Sequence, residues 1–178
     1  AMVRESTGYS LYELLVTTSI IAVLMTVGIP SFASMLARHR QQVEVNALFH
    51  AIHLARKESI MRRKVVSICP SSDGASCLAS KDWSAGWLMF ENTDRDSPAQ
   101  IDPHEPILWR HTGGANITIR ANRQSFTLRS TFLRATNGTL VVCDYADRIK
   151  PKGLVVSYTG RPRVALSTPS GKPYTCAD

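Results

Sequence analysis

The chain contains no Gly-x-Ser-x-Gly elbow, no His-Glu-x-x-His pair and no glycine-rich phosphate loop. The common sequence signatures of serine hydrolases, zinc peptidases and nucleotide enzymes are therefore missing. Its histidines, His39, His50, His53, His104 and His111, are scattered. His50 and His53 share a helical face without a third ligand near them, so no metal or other cofactor is expected. The four cysteines lie at 69, 77, 143 and 176, and neither short spacing of a structural zinc knuckle occurs among them. Repeats and low-complexity tracts are absent, and a hydrophobic content of 44% excludes a disordered chain. Aromatics make up only 7%, with Tyr158 and Tyr174 alone near the basic carboxyl-terminal stretch. A base-stacking platform for single strands is thus not expected.

A further absence is more informative. From Leu14 to Ala37 there is no Asp, Glu, Lys, Arg or His, a run long enough to cross the roughly 30 Å hydrocarbon core of a bilayer. A secretory signal peptide places its small-residue cleavage site after the apolar run. Here the small residue, Gly8, precedes it, within Arg4-Glu5-Ser6-Thr7-Gly8-Tyr9-Ser10-Leu11-Tyr12-Glu13. Glu13 stands at the edge of the run, where a carboxylate placed in lipid costs on the order of 3 kcal/mol and calls for a partner.

This leader resembles the type III signal of type IV prepilins and pseudopilins. The resemblance implies cleavage after Gly8 by a prepilin peptidase, N-methylation of Tyr9, and pairing of Glu13 with a neighbouring subunit's amino group during filament assembly. Pro30 also falls at a position where that family often carries proline. Phenylalanine is commoner there than Tyr9, and an aliphatic residue commoner than Tyr12.

Residues 1–8 are accordingly read as leader, 9–37 as the transmembrane and filament-core helix, 38–64 as an amphipathic helix packed on a head, and 65–178 as a periplasmic β-rich domain. Val45, Leu48, Ile52 and Ala55 recur at spacings of three and four, one face of a helix running to about Arg63. A helix from Tyr9 to Arg63 would be about 80 Å long, with its first half leaving the head and its second half packed on it. Gly28-Ile29-Pro30 is expected to kink or locally melt it. Beyond Lys64, short β-branched and aromatic runs at 65–69, 86–90, 107–110, 117–120, 125–128, 139–143, 154–158 and 163–166 read as antiparallel strands. Asn137-Gly138 is placed as a hairpin turn, and Trp83, Trp87, Trp109 and Phe90 as core or turn-packing residues. The fold class is α+β: a long amino-terminal helix on an antiparallel β-sheet. Four cysteines in an oxidising compartment permit three connectivities. The short loop between Cys69 and Cys77 favours that pair, leaving Cys143 for Cys176.

Charge is uneven. Residues 66–109 hold two Lys/Arg against seven Asp/Glu, and residues 110–178 eleven against three, an asymmetry that points to a polyanionic partner. Cys69-Pro70-Ser71, Cys77, Asp82-Trp83-Ser84-Ala85-Gly86-Trp87, Gly138-Thr139-Leu140-Val141-Val142-Cys143 and Thr159-Gly160-Arg161-Pro162-Arg163 resemble the GspH/FimT family of minor pseudopilins and minor pilins. Gly160-Arg161-Pro162-Arg163 resembles the GRxR motif of FimT-type minor pilins, which implies binding of double-stranded DNA, without sequence preference, through Arg161 and Arg163 in natural transformation. Arginines two apart on an extended segment point to one side and can fork onto successive phosphates. Arg148, Lys150, Lys152 and Lys172, with Arg129 and Arg134, are candidates for a wider basic surface. The resemblance further implies a single-pass inner-membrane protein with a periplasmic head, joined to major and minor pilins in a cell-surface pilus. The alternatives are a structural minor pilin or type II secretion pseudopilin acting through protein contacts only, and an adhesin for anionic polymers.

Overall fold

A computed structural model describes Gly8 and residues 10–130 and 134–176. The expected leader before Gly8, and Tyr9, lie outside the described residues. The chain divides into two compact units, one ending at Leu36 and the other beginning at Ala37. Helix α1, Leu11–Arg62, contributes to both.

In the first unit, Ser10 caps α1: its hydroxyl accepts from the Tyr12 N–H at 3.4 Å and its carbonyl from the Leu14 N–H at 3.1 Å. Glu13 lies in the first turn, where a negative charge complements the helix dipole. Ser10 and Glu13 together form the Ser-x-x-Glu pattern of a helix start. The hydroxyls of Thr17, Thr18, Ser19, Thr26 and Ser34 all donate back to carbonyls three or four residues earlier. These five hydroxyls are therefore satisfied within the helix, as a lipid environment favours. The helix is long and apolar enough to cross a membrane. It continues without interruption through Pro30, so the expected local melting does not occur: one missing N–H is outweighed by helical residues on both sides.

In the second unit, α1 buries Ala37, Gln41, Glu44, Val45, Leu48, Ala51, Ile52, Ala55 and Ser59, the stripe of a helix with one face on a core. Eight strands follow: β1 Val66–Pro70, β2 Gly86–Glu91, β3 Ile107–Thr112, β4 Ile117–Ala121, β5 Phe126–Leu128, β6 Gly138–Asp144, β7 Lys152–Val156 and β8 Pro162–Ala165. They form two four-stranded antiparallel sheets rather than one, ordered β3-β2-β1-β5 and β4-β6-β7-β8. Asn137-Gly138 is not a hairpin turn. Gly138 opens β6, and a methyl there would meet Asn122 Oδ1 at 2.5 Å and Phe126 Cε1 at 3.0 Å, so a glycine is needed for close approach rather than for a turn.

The main core joins Leu48, Ile52, Ile68, Trp83, Trp87, Phe126, Leu140, Val142 and Leu154 from the helix and both sheets. Gln41 binds the helix to the second sheet, its amide donating to the carbonyls of Val142 and Lys150, both at 2.9 Å. Because side chains alternate along a strand, Cys69, Leu88 and Phe90 point to the other face of the first sheet. There they form a small second core with Ala99, Cys77 and Ile101. The Cys69–Cys77 disulfide pins the covering loop to that face. The Cys143–Cys176 disulfide does the same for the carboxyl-terminal segment, which sets the Tyr174 ring directly over Gly153 of β7.

Candidate nucleic-acid interface

The β7–β8 hairpin holds the Gly-Arg-Pro-Arg segment. Val155 lies opposite Arg163, and Val156 opposite Pro162. The connecting turn is closed by the Gly160 N–H donating to the Ser157 carbonyl at 2.8 Å and the Ser157 N–H donating to the Arg161 carbonyl at 3.1 Å. The Arg161 N–H also donates to Ser157 Oγ at 3.2 Å. Gly160 has a φ of 70°, the left-handed conformation that glycine adopts without steric cost. It is buried, and a methyl placed on it would meet Leu128 Cδ1 at 2.8 Å and an Arg56 guanidinium nitrogen at 2.9 Å. Gly160 is thus required by the turn and by its neighbours.

Beyond the turn, Arg161 and Arg163 are exposed while Pro162 is buried, so alternation puts both guanidinium groups on the outer side of an edge strand. Proline is tolerated at the first residue of such a strand because no ladder partner needs its N–H. Neither arginine enters an ion pair among the described residues. Arg134 stands beside the same turn: the Ala135 N–H donates to the Tyr158 carbonyl at 2.9 Å, and the Arg134 guanidinium lies 5.4 Å from the Tyr158 ring centroid, a cation–π arrangement that leaves its charge in place. Arg56, reaching Gly160 from α1, is the basic residue here that sequence reading did not single out. No pattern along the chain places a helix arginine against a turn so far from it in sequence.

The other basic candidates have different surroundings. Arg148 forks onto Asp144, with Nε and Nη2 each 2.9 Å from a carboxylate oxygen. The guanidinium hydrogen bonds hold the buried Asp144 carboxyl below its ordinary range, against the opposing effect of burial. Arg148 is in turn held more firmly protonated by that hydrogen bond. Lys152 shares the core-facing side of β7 with Leu154 and Val156, and its Nζ donates to Gln42 Oε1 at 2.7 Å. It therefore faces away from Arg163. Lys150 and Lys172 are exposed, Lys172 on the turn where Thr168 Oγ1 accepts its backbone N–H at 3.2 Å. Asp94, Asp102 and Glu105 bring carboxylate oxygens within 4.8 Å of one another. Glu105 spends both oxygens on the N–H groups of Thr93 and Asp102, the pattern of a loop holding its own shape.

Residues 44–160 match the model of the family described as type II transport protein GspH. The chain belongs to the GspH family. Two crystal structures of the type IV minor pilin FimU of Pseudomonas aeruginosa share its fold. One is 21% identical, covering 76% of this chain and 99% of FimU with a TM-score of 0.55. The other is 22% identical, covering 79% and 97% with a TM-score of 0.56. The minor pseudopilin EpsH of the Vibrio cholerae type 2 secretion system is 12% identical, covering 71% of this chain and 96% of EpsH with a TM-score of 0.50. No curated protein matches in sequence. In this GspH-family chain the matched stretch starts inside α1 and ends at Gly160. Arg161, Arg163 and all of β8 therefore lie just past it.

Proposed function

We propose that this GspH-family chain is a minor type IV pilin that captures extracellular double-stranded DNA for uptake in natural transformation. In this reading a prepilin peptidase cuts after Gly8 and Tyr9 is methylated. Residues 9–37 anchor the chain once in the inner membrane, and residues 38–64 and 65–178 form a periplasmic head. Glu13 pairs with a neighbouring pilin as the protein enters a cell-surface pilus. DNA is held by Arg161 and Arg163, with Gly160 shaping the turn that presents them.

The supporting observation is a pair of exposed guanidinium groups, without carboxylate partners among the described residues, on one side of an edge strand. Residues two apart on a strand are separated by about 6.8 Å, which lets both guanidinium groups reach phosphates of one DNA strand. Backbone contacts of this kind carry no sequence information. The competing reading, a pseudopilin or priming pilin acting through protein contacts alone, is favoured by one observation: Gly160 is explained by the turn and its packing without any ligand.

Duplex binding by the full chain in nonionic detergent, followed against salt, separates the two readings. Removing two phosphate contacts in an Arg161→Ala/Arg163→Ala variant lowers the salt slope by about 1.8. Binding that is absent in the parent, or equal in parent and folded variant, rejects DNA capture and leaves the protein-contact reading.

A further inference from the structure

A cavity of about 380 Å³ opens where α1 ends, bordered by Arg63, Lys64, Asn92, Thr93, Arg95 and Arg129. No carboxylate among the described residues lines it. Lys64 is paired with Glu91, which leaves three arginines bordering one space with no ion-pair partner among the described residues. Like charges so gathered repel unless an anion sits between them, and the planar fork of arginine suits phosphate better than a lysine point charge does.

The walls are preset. The Asn92 N–H donates to the Val65 carbonyl at 2.9 Å, and its amide donates to Ser67 Oγ and to Asp96 Oδ1, both at 3.0 Å. Arg63 and Arg95 have φ values of 55° and 63°. Glycine or asparagine would occupy that conformation at lower cost, yet arginine stands at both positions.

Two of the cavity's neighbours in sequence also pack beside the hairpin turn. Arg129 follows Leu128, whose side chain packs beside Gly160, and Arg56 of α1, which also packs beside Gly160, lies about one and a half turns before the helix ends at Arg62. We infer that this cavity is a second phosphate site, taking a backbone phosphodiester of the same DNA that Arg161 and Arg163 hold. The inference rests on the DNA-capture reading.

The test measures anisotropy of a fluorescein-labelled duplex bound to the full chain in nonionic detergent, across a potassium chloride series. Arg63→Gln/Arg129→Gln is expected to lower the salt slope by about 0.9, the value for one phosphate. Arg38→Gln/Arg120→Gln removes the same charge elsewhere and is expected to leave the slope unchanged. Because glycine relieves the left-handed backbone, Arg63→Gly/Arg95→Gly is expected to fold at least as stably as the parent and still lose the same slope. Equal slopes in the parent and both cavity variants, or equal losses in the cavity and control variants, overturn the second site while leaving Arg161 and Arg163 in place. A parent that does not bind duplex overturns the DNA reading itself, and this inference with it.

Discussion

Replacing Gly160 by alanine separates the part of the hairpin motif that builds the fold from the part that faces solvent. At a φ of 70° an alanine costs about 1 kcal/mol relative to glycine. Its methyl would lie 2.8 Å from Leu128 Cδ1 and 2.9 Å from an Arg56 nitrogen. The Arg56 tip can swing away, whereas Leu128 is fully buried and moves only with the core, so overpacking adds about 1–3 kcal/mol. The expected total, about 2–4 kcal/mol, corresponds to a fall of roughly 8–15 °C in Tm for a unit of this size. Arg161→Ala, on the surface, should stay within about 0.5 kcal/mol of the parent. Fluorescence of the buried Trp83 and Trp87 during urea unfolding reads both variants. Adding Leu128→Ala to Gly160→Ala should recover about 1 kcal/mol relative to the sum of the single changes, because it removes the atom the methyl strikes. A Gly160→Ala protein as stable as the parent would refute the packing argument, and additivity with Leu128→Ala would refute the named clash.

Breaking the Cys143–Cys176 bridge, which spans 33 residues of sequence, should cost about 3.7 kcal/mol by loop-closure entropy, against about 2.5 kcal/mol for the Cys69–Cys77 bridge over 8. Urea midpoints of the two cysteine-to-serine double variants rank them, and the reverse order would contradict the calculation. The lowered Asp144 pKa gives a signed pH dependence: the stabilisation is complete above the unfolded carboxyl value of about 3.9 and is lost as pH falls below it through the folded value. Asp144→Asn/Arg148→Gln should therefore unfold with a shallower acid limb than the parent and an unchanged profile between pH 5 and 8. An identical acid limb would show that the pair is not coupled to folding. Some slope should persist, because Asp73, held low by the N–H groups of Ala75 and Ser76 and by their neighbouring serine hydroxyls, also titrates there.

Local patterns carried much of this protein. The charge-free run, the three-and-four spacing of Val45, Leu48, Ile52 and Ala55, and the β-branched runs between turn residues each depend on the chemistry of neighbours in sequence. They place α1 and all eight strands to within a few residues. The loop between Cys69 and Cys77 likewise points to its own bridge. What no local pattern contains is which strands pair at a distance. Two sheets in place of one, and Gly138 as a strand start rather than a turn, follow from β6 finding β4 and β7 while β5 finds β1. The same limit governs charge. Arg148 and Arg161 look alike along the chain, but tertiary packing gives one a carboxylate and leaves the other without one among the described residues. Arg56 and Gly160 become neighbours, and three arginines gather around one cavity, only because the helix, the first sheet and the hairpin close on a shared core. Residue type and spacing determined which elements form and that the carboxyl-terminal third is basic; the packing of those elements decided which cations face one another, because guanidinium groups remote in sequence meet only when burial of the apolar faces brings them together.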